Sequence, residues 1–243
     1  SLAVDFCLKK AGISIHDVDY VVFYEKPFLK FERLLTTAFA TFPRSHKVFT
    51  ESMRRWVTDK LWIKPLIREK LGLDPKKILF CEHHMSHAAA SFFCSPFDHA
   101  AIISVDGAGA WSTGTVGVGH DTKISIEQES RFPHSLGLLY SAFTAYCGFE
   151  VNEGEYKLMG MAPYGQPKYT DRVKKMIKIG SDGSYWLDLD YFAFHYSPDN
   201  TLSPKFAEAM GQPPRDPALG DKSLDPFYCD VASSIQAVTE EIM

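Results

Sequence analysis

Glu82-His83-His84-Met85-Ser86-His87 is the densest run of ligating side chains in the 243-residue chain. On a helix, positions i and i+4 share a face about 6 Å apart, so His83 and His87 can hold one metal ion together. His84 then points about 100° away. A metalloprotease needs a glutamate directly after the first histidine as general base; His84 stands there instead, and that chemistry lacks its base. A useful transition-metal site takes three or four protein ligands, and the neighbouring sequence supplies no unambiguous third. A structural histidine cluster accounts for the same residues.

Further stretches can also do chemistry. Ser104-Val105-Asp106-Gly107-Ala108-Gly109-Ala110 is a strand that runs into a small-residue turn. Without bulky side chains, the N–H groups of Gly107, Ala108, Gly109 and Ala110 can approach a phosphate or an oxyanion closely. Asp106 can bind a metal or accept a proton. An ordinary tight hairpin turn has the same composition. Asn152 to Gly165 combines Glu153, Glu155 and Lys157 with glycines. Its carboxylate can hold a ribose and Lys157 a phosphate; a helix N-terminus with acids in its first turn is the alternative. Between Arg44 and Lys70, eight basic residues outnumber three acidic ones and are interleaved with Phe49, Trp56 and Trp62. That pattern suits a polyanionic partner or a solvated amphipathic helix.

These groups must be positioned by a scaffold. Residues 3–11 have helical spacing with Gly12 as C-cap, and Val18 to Tyr24 reads as a strand ending at Lys26-Pro27. Phe28 to Leu71 is helix-rich, broken near Pro43 and Pro65. Ile78 to Cys81 predicts a short buried strand, and Glu82 to Cys94 a helix stopped by Pro96. Ala100 to Asp106 reads as a strand buried on both faces. Thr113 to Gly119 and Lys123 to Glu129 form a hairpin around Gly-His-Asp. Ser135 to Cys147 predicts a helix with Leu136, Leu139, Tyr140 and Phe143 on one face. Residues 163–228 show weak periodicity; 170–228 is expected as an irregular insertion or cap, before a further helix over 229–243. Strands alternating with helices make the class α/β.

Composition sets the bounds. At roughly 150 residues per domain, the length allows one large domain or two small ones. Apolar residues at 45% and charged residues at 23% exclude disorder. A net charge of −4 argues against a dedicated nucleic-acid or membrane-surface binder, and no run approaches the ~18 apolar residues that span a bilayer. The five cysteines lack a CxxC pair and suit reduced, buried thiols in a cytoplasmic protein. The opening Ser1-Leu2-Ala3-Val4-Asp5 has no secretory pattern. The missing initiator Met and the helical ending at Met243 suggest a piece of something longer.

Three blocks in order resemble the O-carbamoyltransferases that modify nodulation factors and antibiotics. They are Glu82-His-His-Met-Ser-His-Ala88, Ser104-Val-Asp-Gly107 and Gly154-Glu-Tyr-Lys-Leu-Met-Gly-Met-Ala-Pro-Tyr-Gly165. Ser135-Leu-Gly-Leu-Leu-Tyr140, Thr144 and Gly148-Phe149 extend the likeness, which is strong over about 78–169 and thinner outside it. The resemblance implies an actin-like, ribonuclease-H-like α/β domain with a mixed sheet flanked by helices, similar to that of threonylcarbamoyl-transferring tRNA enzymes. It implies iron(II) or zinc on His83 and His87, and an Asp106–Gly109 turn against the carbamoyl and phosphate parts of an acyl-adenylate. Glu155 and Lys157 would line the nucleotide cleft.

By the same resemblance, a glycine-rich strand is expected before residue 1. An adenosine loop, the Asp that completes the metal site, and a second domain making carbamoyl-adenylate from ATP and carbamoyl phosphate are expected after Met243. The chain would be the middle of the transfer domain and inactive alone. The full enzyme would pass a carbamoyl group to a hydroxyl of a sugar or antibiotic-like acceptor. The metal would act as Lewis acid, the amides of Gly107 to Ala110 would surround the tetrahedral intermediate, and Asp106 would exchange the proton. The alternatives are an ATP-dependent kinase of the same broad fold, using magnesium, and a non-catalytic binding domain built on 44–70.

Overall fold

A computed structural model describes residues 2–222 and 224–243; Ser1, and Ser223 within the expected cap, lie outside the described residues. Gly12 takes a left-handed φ of 70° and closes α1 (Leu2–Ala11), as its place after the apolar repeat predicts. The strand expected over 18–24 narrows to β1 (Val21–Phe23), which pairs in parallel with β2 (Ile78–Phe80), Val21 opposite Ile78. A parallel pair needs a long crossover. Here it consists of α2 (Pro27–Thr41), α3 (His46–Thr58) and α4 (Ile63–Leu71). Pro43 falls in the break between α2 and α3, but Pro65 breaks nothing. It sits in the first turn of α4, where no intrahelical N–H bond is lost; the break lies at the tight turn Lys60–Trp62. Within 44–70, Lys47 pairs with Asp199 and Lys60 with the buried Glu25, while Trp56 packs against Phe28 and Phe31. Those two cations and that ring are engaged within the chain.

Helix α5 (His83–Phe92) follows β2 directly. It lies on an antiparallel sheet of order β3-β4-β5, built from β3 (His99–Val105), β4 (Ser112–His120) and β5 (Lys123–Arg131). Ala88 and Phe92 pack on Ile102, Ala100, Ile124 and Ile126. Gly119 makes room for the helix, since a Cβ there would come within 2.5 Å of the Phe92 ring. The opposite face is open: Ile103 is 56% and Val105 40% exposed, and β3 is an edge strand. This corrects the expectation of a strand buried on both faces. An apolar run shows what a strand can bury, not how many layers the chain brings to it.

The larger core joins α6 (Leu136–Tyr146), α7 (Glu155–Met161), α8 (Thr170–Lys174), the hairpin β6 (Ile177–Ile179) and β7 (Tyr185–Leu187), α9 (Pro204–Met210) and α10 (Pro226–Ile242). The stretch 170–228, expected as an irregular cap, contributes the buried Val173, Met176, Phe192, Phe206 and Met210 to this core beside Phe143, Leu158 and Ile235. Elements of three to seven residues carry too few repeats to display a period. Helix α10 starts before 229 because Asp225 caps it, accepting from the Phe227 amide, with Pro226 in the first turn. Cys147 and Cys229 are buried, whereas Cys7 and Cys94 are exposed, which corrects the expectation of buried thiols throughout. Among the described residues, no helix is long and apolar enough to cross a membrane.

Gly165 abuts the backbone of α10. A Cβ there would lie 2.0 Å from the Cys229 carbonyl oxygen and 2.5 Å from the Asp230 nitrogen. Gly165→Ala is therefore expected to destabilise the fold by roughly 1–3 kcal/mol through overpacking. The check is a lowered urea midpoint at unchanged slope; a midpoint equal to the parent's would show that α10 can back away.

Candidate metal centre and adjoining cleft

His83 opens α5 and His87 follows one turn later on the same face. Glu82, at the N-cap position, spends its carboxylate on Lys26 at 2.9 Å rather than on the helix. Asp106 is the residue after β3. Its N–H donates to the Thr113 carbonyl, the Gly109 N–H donates to the Ser112 carbonyl, and the Ser135 hydroxyl donates to the Asp106 carbonyl. Gly137, in the first turn of α6, lies so close that a Cβ would stand 2.6 Å from the Asp106 carbonyl oxygen. Hairpin and helix thus hold the Asp106 backbone, and its side chain meets α5.

His83 Nε2 lies 2.7 Å from Asp106 Oδ2 and 3.1 Å from His87 Nε2, and His87 Nε2 is 3.8 Å from the same carboxylate oxygen. An ionised carboxylate only accepts, so His83 carries its proton on Nε2 and donates it to Asp106. Three ligand-type atoms thus converge. Donors bound tetrahedrally at about 2.0–2.1 Å from zinc stand roughly 3.3–3.4 Å apart. The observed separations bracket that spacing, and the set of two imidazoles and a carboxylate fits a borderline divalent cation. Side-chain exposure rises from 17% at His83 through 35% at Asp106 to 50% at His87, so the cluster opens to solvent at His87. Burial works to raise the Asp106 carboxyl, but the His83 hydrogen bond and the Gly107 amide outweigh it and hold the group below its ordinary range. His84 is buried on another face, 3.4 Å from Thr115 Oγ1, and burial pulls its pKa down. The resemblance put the completing Asp after Met243; in the structure a carboxylate from within the chain, Asp106, already stands third.

A cleft of about 670 Å³ adjoins this cluster, with Asp106, Gly107, Ala108, Tyr140, Ser141 and Glu155 on its walls. Glu155 accepts from the Ser141 hydroxyl at 2.6 Å and the Asn152 amide at 2.9 Å. Burial would raise its carboxyl, yet these donors prevail and lower it. The Tyr140 phenol, pushed up to about 12 by burial, stays neutral and donates to Gln236.

The structure thus gathers Asp106, Gly107, Ala108 and Glu155 around one space, with His83 and His87 against Asp106. Gly109, Ala110 and Lys157 do not line that space. Gly109 packs on His83, where a Cβ would meet Cδ2 at 3.0 Å, and Ala110 is buried. The Gly107 and Gly109 amides are already bound, to Asp106 Oδ1 and to the Ser112 carbonyl. This corrects the expectation of four open N–H groups; Ala108 lines the cleft, and among the described residues no hydrogen bond engages its amide. Both Asp106 oxygens are also engaged, which suits a ligand better than a general base. Ser141 went unmarked in the sequence, and Ser135 and Gly137 stood in a resembling block without a role, although small and polar residues interrupting an apolar helix mark places where something other than core packing is served. Gly137→Ala is expected to cost roughly 1–3 kcal/mol and, by displacing Asp106, to shift the ¹⁵N resonances of the His83 ring. An unaltered His83 signal would mean that α6 yields instead.

The chain is 45% identical to the uncharacterized protein sll1178 of Synechocystis sp. over 99% of its own length and 40% of that protein's. It is 31% identical to the nodulation protein NolNO of Sinorhizobium fredii over 77% of the chain and 27% of the relative. With the nodulation protein NolO of Bradyrhizobium diazoefficiens it shares 36% identity over 44% of the chain and 20% of the relative. The chain therefore spans two fifths or less of the length of these relatives. Its residues 2–243 match the family described as carbamoyltransferase N-terminus, and to that family the chain belongs.

Proposed function

We propose that the chain is the carbamoyl-passing part of an O-carbamoyltransferase. The observation that carries this is the convergence of His83, His87 and Asp106 beside a cleft walled by Glu155, in a member of that family. The donor is carbamoyl-adenylate, made from ATP and carbamoyl phosphate, and the acceptor is a hydroxyl of a sugar or antibiotic-like molecule. A donor made from ATP implies a cytoplasmic enzyme. In the transfer, the acceptor oxygen bonds to the carbamoyl carbon, the bond from that carbon to the phosphate oxygen breaks, AMP leaves, and the hydroxyl proton passes to a base. Iron(II) or zinc on His83, His87 and Asp106 supplies Lewis acidity toward the carbonyl or phosphate oxygen.

The chain's own groups do the rest. Glu155, held ionised by neutral donors, accepts from the ribose hydroxyls. The Ala108 amide donates to a phosphate oxygen or to charge developing on the carbamoyl group. Tyr140 keeps its proton at working pH and takes none. The parallel pair β1–β2 with its helical crossover, and the antiparallel β3-β4-β5 sheet under α5, support the finer assignment of an actin-like, ribonuclease-H-like domain.

Titration with cobalt(II), a coloured substitute for zinc or iron(II), tests the centre. The parent chain is expected to bind it, and the His83→Ala, His87→Ala double variant to lose at least about tenfold in affinity. Binding should weaken on acidification, because a protonated imidazole ceases to be a ligand. The Asp106 carboxyl, held below its ordinary range, stays ionised under mildly acidic conditions. Equal binding by parent and double variant would return the cluster to a structural role. For the cleft, a sulfamate analogue of carbamoyl-adenylate is expected to bind about tenfold more weakly to Glu155→Gln, the worth of a hydrogen bond to a charged group. Calorimetry showing no difference would remove Glu155 from the donor site.

A further inference from the structure

We infer that Arg33, in the helical crossover, is a positioning residue for the candidate centre, acting through the carbonyl of Gly109. The inference rests on the proposed ligand role of Asp106 but not on which donor or acceptor is used. Lys26, Lys30 and Arg33 recur at i, i+4 and i+7 at the start of α2 and so share one face. Lys26 binds Glu82, the residue before α5, and Lys30 binds Glu25. Arg33 Nη1 donates to the Gly109 carbonyl at 2.9 Å, and its guanidinium lies 4.8 Å from the centre of the Phe132 ring. One helix face therefore touches both halves of the centre, the start of α5 and the turn that follows Asp106.

The electrostatics of Arg33 are unusual for a structural arginine. Burial lowers its pKa, and among the described residues no carboxylate reaches it at ion-pair distance. Glu25, the acid that acts on it from farther away, is already held by Lys30 and Lys60. A partly desolvated cation is costly unless its hydrogen bonds are strong, and a charged donor on a carbonyl is of the strong kind. Gly109 itself is wedged between Arg33 and His83, against which it has no room for a side chain. The Gly109 amide closes the turn on Ser112, and the adjacent Thr113 holds the Asp106 amide in the same hairpin. Releasing the Gly109 carbonyl therefore loosens the turn and costs Asp106 its registry with His83. Lysine could reach the carbonyl but could not stack a planar group on Phe132.

The sign of the effect separates positioning from simple charge. Removing a cation near a metal centre should strengthen metal binding by Coulomb's law alone, whereas losing the clamp should weaken it. In the intact chain, Arg33→Ala is expected to lower cobalt(II) affinity about tenfold, as for other residues that orient ligands, and to alter the visible bands of the bound cobalt. Arg33→Lys, which keeps the charge but not the planar guanidinium, should lie between parent and Arg33→Ala. Independently of any metal, hydrogen exchange at the Asp106 and Gly109 amides should accelerate about tenfold in Arg33→Ala while the amides of α10 stay protected. Unchanged exchange at those two amides, or cobalt binding that tightens, overturns the inference. Should the parent bind no cobalt, the metal assignment falls and the exchange data alone decide on Arg33. Should Arg33→Ala fail to fold, Arg33→Lys decides: exchange equal to the parent's at Asp106 and Gly109 sinks the inference.

Discussion

The contact on which the site depends is a single carboxylate–imidazole hydrogen bond, Asp106 Oδ2 to His83 Nε2 at 2.7 Å. It joins the residue after β3 to the first residue of α5, two elements that meet only because Ala88 and Phe92 seat the helix on Ile102. His87 enters by helical geometry once His83 is placed. The Asp106 backbone is settled independently, by Thr113, Ser135 and the close approach of Gly137. Packing of α5 on β3 brings the two sides together, and backbone contacts outside α5 fix the Asp106 side, which is how a small polar cluster keeps a defined shape on an otherwise apolar scaffold.

The charges around the site share a pattern. Lys26, Lys30 and Lys60 are matched by Glu82 and Glu25, so the basic residues beside the centre are largely answered within the chain. Asp106 and Glu155, by contrast, are kept ionised chiefly by hydrogen bonds from the His83 imidazole, a hydroxyl and backbone amides. A carboxylate held by hydrogen-bond donors rather than by a lysine is not neutralised by a fixed cation and keeps its charge for a ligand. The two carboxylates facing the cleft are therefore the ones still able to recognise a cation or a set of hydroxyls.

Local periodicity made part of this legible. The i, i+4 spacing of His83 and His87 announced a shared helix face, and an acid closing an apolar run marked Asp106. Nineteen positions separate His87 from Asp106, a distance one excursion of the chain can close, and the structure closes it; the packing of Ala88 and Phe92 on Ile102 that does so is encoded by no local pattern. Strand β3 misled in the opposite direction, because Ile103 and Val105 have the composition of a strand covered twice while one of its faces is open. The stretch 170–228 looked irregular since Phe206 and Met210 belong to a helix of seven residues, and Phe206 is buried against Phe143 and Tyr146 of α6 and Phe192 rather than by an amphipathic repeat of its own. The opposite lesson comes from Pro65, a strong breaker by type that is harmless by position.

Helix α5, ten residues long, carries the imidazoles at one end and the sheet-covering Phe92 at the other. Affinity and local stability are consequently linked quantities there. Any ligand shared by His83, His87 and Asp106 fastens helix to strand and must raise the free energy of opening that layer by RT ln(1 + [L]/Kd). The same linkage runs backwards: a methyl group lost from beneath the helix, at Ile102 or Ala88, is felt as a weaker site although it touches no ligand atom. Occupancy and packing are two readouts of one local equilibrium.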